Sequence, residues 1–317
     1  MKQYNLYLGY FFVFLIVIFS ISCKREDEIS RQNRYSGTRG LDIRFMDQSI
    51  PDRLFENDNF ELILKLTNFG ASPITTGESV LKLYLEGDYM EFSDNTNVHT
   101  ENIELAGKER FTSRDDFVVK QYSVDVKQLD EQSQTQDVEI FAIACFNYKT
   151  KAYADVCIDT DIYNTKPIEK ACSAAPVDLS GGQGAPVAVT KVESRMLTSE
   201  NDIHPQFKIY ISNAGLGSVI EHNSYSTICS QNTPDRENYN TVELSQLGFS
   251  QYTISDFDCS PGNKVVKLEH GQDYILCTLN QGISKSIVSY ETPLYIELSY
   301  GYTVKDTLKV NINKLST

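Results

Sequence analysis

The segment Phe60-Glu-Leu-Ile-Leu-Lys-Leu-Thr-Asn-Phe-Gly70 has a second version in the same chain, Phe207-Lys-Ile-Tyr-Ile-Ser-Asn-Ala-Gly215. Aligned on Asn68 and Asn213, Leu66 and Leu64 of the first copy stand where Ile211 and Ile209 stand in the second, and Leu62 stands opposite Phe207. Apolar residues at every second position put one face of a strand against a core. The Asn-x-Gly ending supplies residues that tolerate positive φ where the strand turns. A chain carrying two such strands folds as two similar β units.

Composition agrees with this. The 317 residues suffice for two domains of ordinary size. There are 19 Tyr and 16 Phe but no Trp, and Val/Ile/Thr/Tyr-rich runs are broken by Asn, Asp, Gly and Ser. Within residues 40–165 no window shows a persuasive helical apolar stripe, so helices should be few there. A net charge of −14 disfavours nucleic acid and anionic membrane surfaces as partners. Seven cysteines, none in a Cys-x-x-Cys or Cys/His ligand spacing, read as disulfides in an exported chain.

Residues 1–23 resemble an export signal: Lys2, an apolar run from Leu6 to Ile21, then Ser22-Cys23, after which the sequence turns charged. The run is shorter than the roughly 20 residues a spanning helix prefers. Ser20-Ile-Ser-Cys23 resembles the lipobox of prokaryotic lipoproteins, with Ser20 in place of the usual large aliphatic residue. Lipoprotein, uncleaved membrane anchor and plain secretion remain as readings, and all three put the body outside the cytoplasm, at the cell envelope. Residues 24–39 are polar and aperiodic, a flexible tether.

Residues 40–165 are expected to form the first β-sandwich domain and residues 186–317 the second, joined by a Pro/Gly-rich linker at 166–185. The fold class is therefore all-β, with two tandem sandwiches. In the first domain, strands are expected at 138–148 and 152–158, joined through Lys149-Thr-Lys151 as a hairpin. In the second, 294–300 and 306–312 read as separate strands. Gly181-Gly-Gln-Gly184 lacks the Lys-Ser/Thr of a phosphate loop and opens a strand, not a helix.

The alternating strand that ends in Thr67-Asn-Phe-Gly70 or Ser212-Asn-Ala-Gly215 resembles that of CARDB-type and related immunoglobulin-like adhesion modules of prokaryotic cell surfaces. Together with Gly181-Gly-Gln-Gly-Ala-Pro-Val-Ala-Val-Thr190, it also resembles membrane-anchored β-sandwich proteins of small-genome archaea. The resemblance implies an immunoglobulin-like sandwich and brings no activity with it.

No constellation points to chemistry. His99, His204, His222 and His270 are scattered, and no serine sits in a nucleophile motif. Glu56-Asn-Asp58 and Asp256-Phe-Asp258 read as solvated acidic loops and not as calcium sites. Tyr295, Tyr300 and Tyr302 read as core edge and not as a sugar platform. No metal, cofactor or catalytic residue is assigned. The expected function is non-enzymatic: adhesion, surface structure or ligand display toward an extracellular protein or glycan. The alternative is an accessory polysaccharide- or protein-binding module, with an enzyme of unrecognised site behind both.

The binding loop is expected at 221–240, through Tyr225, Arg236 and Tyr239, residue types enriched at hot spots. On that reading, exchanging the loop for a Gly/Ser turn removes binding and leaves the melting temperature nearly unchanged. Among the cysteines, Cys145 and Cys157 are expected to pair across the hairpin, Cys259 with Cys277 around the strand at 264–268, and Cys172 with Cys229 by elimination. Cys157 with Cys172 is the rival pairing. Cys23, at the end of the apolar run, is expected to carry the anchor. Mass spectrometry of the mature protein should find it acylated at the N-terminus, whereas a disulfide through Cys23 would contradict both anchored readings.

Overall fold

The computed structural model describes residues 36–315 except 47–49, 52, 109–114, 168 and 231–235. The leader, Cys23 and most of the tether lie outside the described residues. In chain order the first half contributes β1 (Leu41–Phe45), β2 (Leu54–Phe55), β3 (Asn59–Asn68), β4 (Ser79–Tyr84), β5 (Met90–Phe92), β6 (Val98–Glu101), β7 (Asp116–Val126) and β8 (Thr135–Ile158). After β9 (Val177–Asp178), the second half contributes β10 (Val187–Thr198), β11 (Asp202–Asn213) and β12 (Ser218–Ile220). A short α-helix, α1 (Tyr225–Ser230), precedes β13 (Thr241–Gly248), β14 (Phe257–Ser260), β15 (Val265–Lys267), β16 (Gln272–Leu279), β17 (Ile283–Ser284) and β18 (Tyr290–Asn313).

The fold is all-β. The two halves repeat one pairing scheme. Order β1-β3-β7-β5 forms a four-stranded sheet, and β10-β11-β16-β14 repeats it within a six-stranded sheet that adds β9 beyond β10. The remaining strands of both halves form one eight-stranded sheet, in which β6-β4-β8 from the first half meets β15-β13-β18 from the second. The ladders are antiparallel, except that β2 adds to the end of β18 in parallel. A single core cluster joins apolar side chains from all three sheets.

The join is made by two strands of 24 residues each. Strands average about 5–6 residues, yet β8 and β18 pair at every position, from Thr135↔Asn313 to Ile158↔Tyr290. The expected hairpin through Lys149-Thr-Lys151 is therefore not formed: Thr150 lies in mid-strand opposite Leu298. Lys-Thr-Lys holds no Gly, Asn or Pro to turn the chain. The apolar alternation Phe146, Tyr148, Ala152, Ala154 also crosses it in phase, with Thr150 the one polar member of a buried row. The two strands expected at 294–300 and 306–312 are likewise one. Near the centre of this ladder Asn147 faces Gly301.

Two tyrosines flank that point and hold the repeated Asn-x-Gly turns. Tyr148 donates its hydroxyl to Asn68 Oδ1 at 3.0 Å, and Tyr302 donates to Asn213 Oδ1 at 3.1 Å. The same oxygens accept the N–H of Gly70 and Gly215, while the amide nitrogens donate to the carbonyls of Ser72 and Gly217. The glycines are needed for space and not for positive φ, since neither turn places Asn or Gly in that region. A Cβ on Gly70 would collide with the Tyr148 hydroxyl and lie 2.7 Å from Gly184 O. One on Gly215 would meet the Tyr302 hydroxyl and lie 2.7 Å from Pro186 Cβ.

The disulfides are Cys145–Cys229, Cys157–Cys172 and Cys259–Cys277. They mark an oxidising, extracytoplasmic location for the body. The Cys259–Cys277 pairing is as expected, because the two residues face each other across β14 and β16. Cys145 does not pair with Cys157, nor Cys172 with Cys229. Without the hairpin, Cys145 and Cys157 lie on one continuous strand, roughly 40 Å apart at the usual rise, so the rival Cys157–Cys172 bond forms in its place. Among the described residues no helix is long and apolar enough to cross a membrane.

Removing the Tyr148 hydroxyl by Tyr148→Phe should cost about 1–3 kcal/mol, the range for losing one partner of a buried hydrogen bond. Gly70→Ala, which pushes a methyl group into that hydroxyl and the neighbouring backbone, should cost more. Urea unfolding of the two variants measures the order, and equal midpoints for wild type and Gly70→Ala would contradict it.

Candidate functional site

Two clefts flank the β8–β18 seam. The smaller, about 330 Å³, is lined by the turn after Gly70, by Tyr148, Lys149 and Lys151 of β8, and by Gln183 and His222. The larger, about 700 Å³, has matching walls: the turn after Asn213, and Tyr302, Thr303 and Lys305 of β18. Residues 38–43, which lead into and form β1, complete it together with Pro186 and Tyr239. Each cleft thus contains one turn and one clamping tyrosine, and the larger adds the edge strand β1.

Burial sets the chemistry of the tyrosines. It raises Tyr148 and Tyr300 well above the ordinary phenol value against the opposing pull of their hydrogen bonds. Tyr302 is pushed up to about 12 by the same burial, with Gly217 and Asn213 pulling down. All three stay protonated donors at neutral pH. Tyr302 also accepts the Gly217 N–H at 2.8 Å, so both lone-pair and proton are engaged. Beside the smaller cleft, buried Glu297 lies 3.5 Å from Lys149 Nζ and 3.8 Å from Lys151 Nζ and accepts the Tyr295 hydroxyl at 2.6 Å. Burial alone would raise this carboxyl; Tyr295 and the two lysines outweigh it and hold it below its usual value.

The rim of the larger cleft is apolar at one point and charged at others. Leu216, in the turn after Asn213, is wholly exposed. Arg39 lies with its guanidinium carbon 3.8 Å from the centre of the Phe69 ring.

The residues expected to form one binding loop do not stay together. Tyr239 lines the larger cleft, half-buried, with its hydroxyl pKa raised by burial. Tyr225 lies in α1 and donates to Gly77 O in the first half. Arg236 is exposed in a 3-10 turn, Arg236–Asn238. The loop itself is no detachable appendage. Helix α1 buries Ile228 and Cys229 against Val80 and Ile143 on the outer face of the first half, and Cys229 is bonded there to Cys145. Asn223 and Asn147 exchange hydrogen bonds of 2.9 Å beside it. The expectation that the loop can be replaced at no cost in stability is thereby overturned.

Other expected candidates resolve as structure. Glu56 is buried and accepts the backbone N–H groups of Leu129 and Leu315; Asp58 accepts from Phe55, and Asp256 caps a 3-10 turn. Tyr300 and Tyr302 are core residues. The residues that shape the clefts, Leu41, Ile43, Gln183 and Leu216, escaped notice because backbone exposure at a sheet edge leaves no mark in a one-dimensional pattern.

No family model matches the chain, and no curated protein matches it. Among solved structures it aligns with red sea bream transglutaminase at 7% identity, over 89% of this chain and 32% of that one, with a TM-score of 0.16. It aligns with the native conformation of Escherichia coli alpha-2-macroglobulin at 9% identity, over 88% of this chain and 17% of that one, at TM-score 0.16. A putative glyoxylate-induced protein of Pseudomonas aeruginosa aligns at 8% identity, over 88% and 86% of the two chains, at TM-score 0.10. The chain thus spans about a third or less of the first two. Likeness at these scores carries no argument about fold or activity.

Replacing residues 222–238 by a short Gly/Ser turn should lower stability strongly. It removes a disulfide with a sequence separation of 84, worth roughly 4–5 kcal/mol in the chain-entropy model. Chemical denaturation under non-reducing conditions measures this, and an unchanged midpoint would restore the view of the loop as an independent arm.

Proposed function

We propose that this is a non-enzymatic protein of the cell envelope, anchored at the membrane through its N-terminal segment, that binds a partner for adhesion, surface structure or ligand display. The observation that carries the reading is the larger cleft, about 700 Å³, whose walls come from both halves and are held by a common ladder. A site on such a frame is pre-organised, and rigid preorganisation lowers the cost of binding. The likeness of the Asn-x-Gly strands to CARDB-type adhesion modules points the same way, and the tether would lift the site off the membrane. Leu216 lines this cleft and is fully exposed, so a charge placed there probes the cleft without touching the core.

A second reading, an accessory polysaccharide-binding module, draws on a different surface. Tyr153 and Tyr295 lie side by side across the long strands with ring centres 5.2 Å apart, and Tyr153 is 55% exposed. Exposed aromatic faces of this kind stack on sugars. A screen against envelope proteins and glycans separates the two. Leu216→Asp should weaken binding of a protein partner about tenfold or more and leave the unfolding midpoint unchanged. Glycan binding lost on Tyr153→Ala, with Leu216→Asp silent, would establish the second reading instead.

A further inference from the structure

The two halves treat their equivalent edge strands differently. In β1 the Phe69 N–H reaches Gly40 O and the Met46 N–H reaches Ile63 O, so the backbone groups of Gly40, Asp42, Arg44 and Met46 point toward β3. Those of Leu41, Ile43 and Phe45 point away. The Phe45 N–H is taken by Asp306 Oδ2 at 2.9 Å. The outward N–H and C=O groups of Leu41 and Ile43 have no hydrogen-bond partner among the described residues, and both residues line the larger cleft.

In the second half the matching residues are Val187 and Val189, which face Asn213 and Ile211 as Leu41 and Ile43 face Asn68 and Leu66. There every outward group is engaged by a side chain. Thr150 donates to Val187 O at 2.6 Å, and the Tyr300 hydroxyl receives the Val187 N–H at 3.4 Å. The buried Gln183 amide bonds Val189 twice, donating to its carbonyl at 3.0 Å and accepting its N–H at 2.9 Å. An amide that bonds both groups of one residue does what a neighbouring strand does. Strand β9 then continues the cover along Lys191 and Val192.

The first half lacks each of these partners. With Tyr148 and Tyr302 as the equivalent clamps, Phe146 stands where the second half has Tyr300, and Val304 stands where it has Thr150. Gly37, four residues before Leu41 as Gln183 is four before Val187, has no side chain to offer. The hydroxyls and the amide that seal one edge are absent at the other, and a cleft twice as large lies there. The opposite wall adds a second open edge. Because the Lys314 N–H meets Gln134 O and Asn313 O receives the Glu56 N–H, Lys305 turns its backbone groups away from β8. No described strand pairs with that side of β18 between β12 and β2.

We propose that the outward edge of β1 at Leu41 and Ile43 is a strand-acceptor site that takes a short extended peptide segment of a partner protein. The segment supplies the amide pairing that Gln183, Thr150 and Tyr300 give the other half. Main-chain bonds provide the affinity and pockets beside the edge provide the selection, as in other cases of strand addition. Ile143, Val304 and Leu216 offer the apolar contacts for its side chains. The proposal rests on the binding function above and names the chemistry of its partner.

The test uses the full chain in mild detergent, amide exchange by NMR, and nonapeptides selected from a random displayed library as the probe. Without peptide, the Leu41 and Ile43 amides should exchange at least about 100-fold faster than those of Val187 and Val189. Selected peptides should slow Leu41 and Ile43. Val304→Thr, which restores a hydroxyl at nearly constant volume, should weaken them about tenfold, and adding Phe146→Tyr should weaken them further without loss of melting temperature. Peptides that leave both amides unchanged, or that bind Val304→Thr equally well, overturn the proposal. So does protection that grows with protein concentration, which would mark a second copy as the occupant. Protection already present in the full chain and lost when residues 1–35 are removed would overturn it in favour of the chain's own tether. If peptides fail while an envelope protein or glycan still binds elsewhere, the acceptor site falls and the wider binding function stands.

Discussion

The rest of the structure depends on the antiparallel ladder between β8 and β18. Of the two 24-residue strands, β8 buries every even-numbered side chain from Val138 to Ile158, and β18 buries those from Leu294 to Tyr302 and again Val310 and Ile312, with Val304, Asp306 and Leu308 half-buried between them. Each strand belongs to one half by its pairing with β4 or β13, yet lies against the first strand of the other half, β18 beside β1 and β8 beside β10. Neither half therefore completes its core alone. Long non-local ladders of this kind are costly in chain entropy to close, and the Cys145–Cys229 bond joins the halves across the same seam.

The seam also explains why the two clefts exist and why they differ. The ladder's near-symmetry about Asn147 and Gly301 places one clamping tyrosine in each half and sets an edge strand beside it. Three side-chain differences then decide the fate of each edge: a hydroxyl at Tyr300 and not at Phe146, another at Thr150 and not at Val304, and an amide at Gln183 where the first half has Gly37. Repetition gave the frame, and small departures from repetition give the asymmetry in which a binding function can reside.

Much of this could be read from the sequence, and the misses have physical causes. The paired strands around Leu64 and Ile209 were legible because period-2 burial is local, and the opposition of Cys259 and Cys277 followed from their spacing around a short strand. The unity of β8 was hidden by Lys149 and Lys151. Their charges look like a turn, but they occupy outward positions, and the inward row stays in phase through Thr150. A test for phase across the polar triplet would have found one strand and with it the correct cysteine partners. Asn68 and Asn213 were singled out for the wrong reason: the Asn-x-Gly turns exist to receive Tyr148 and Tyr302 from a distant strand, a constraint that no local pattern carries.

If the two repeats share one cooperative ladder, native-state hydrogen exchange along β8 and β18 over a denaturant series should show ladder amides from both ends, near Ile140 and near Val156, merging into one unfolding isotherm with a common slope. Two isotherms, with residues 135–148 opening independently of residues 149–158, would contradict it.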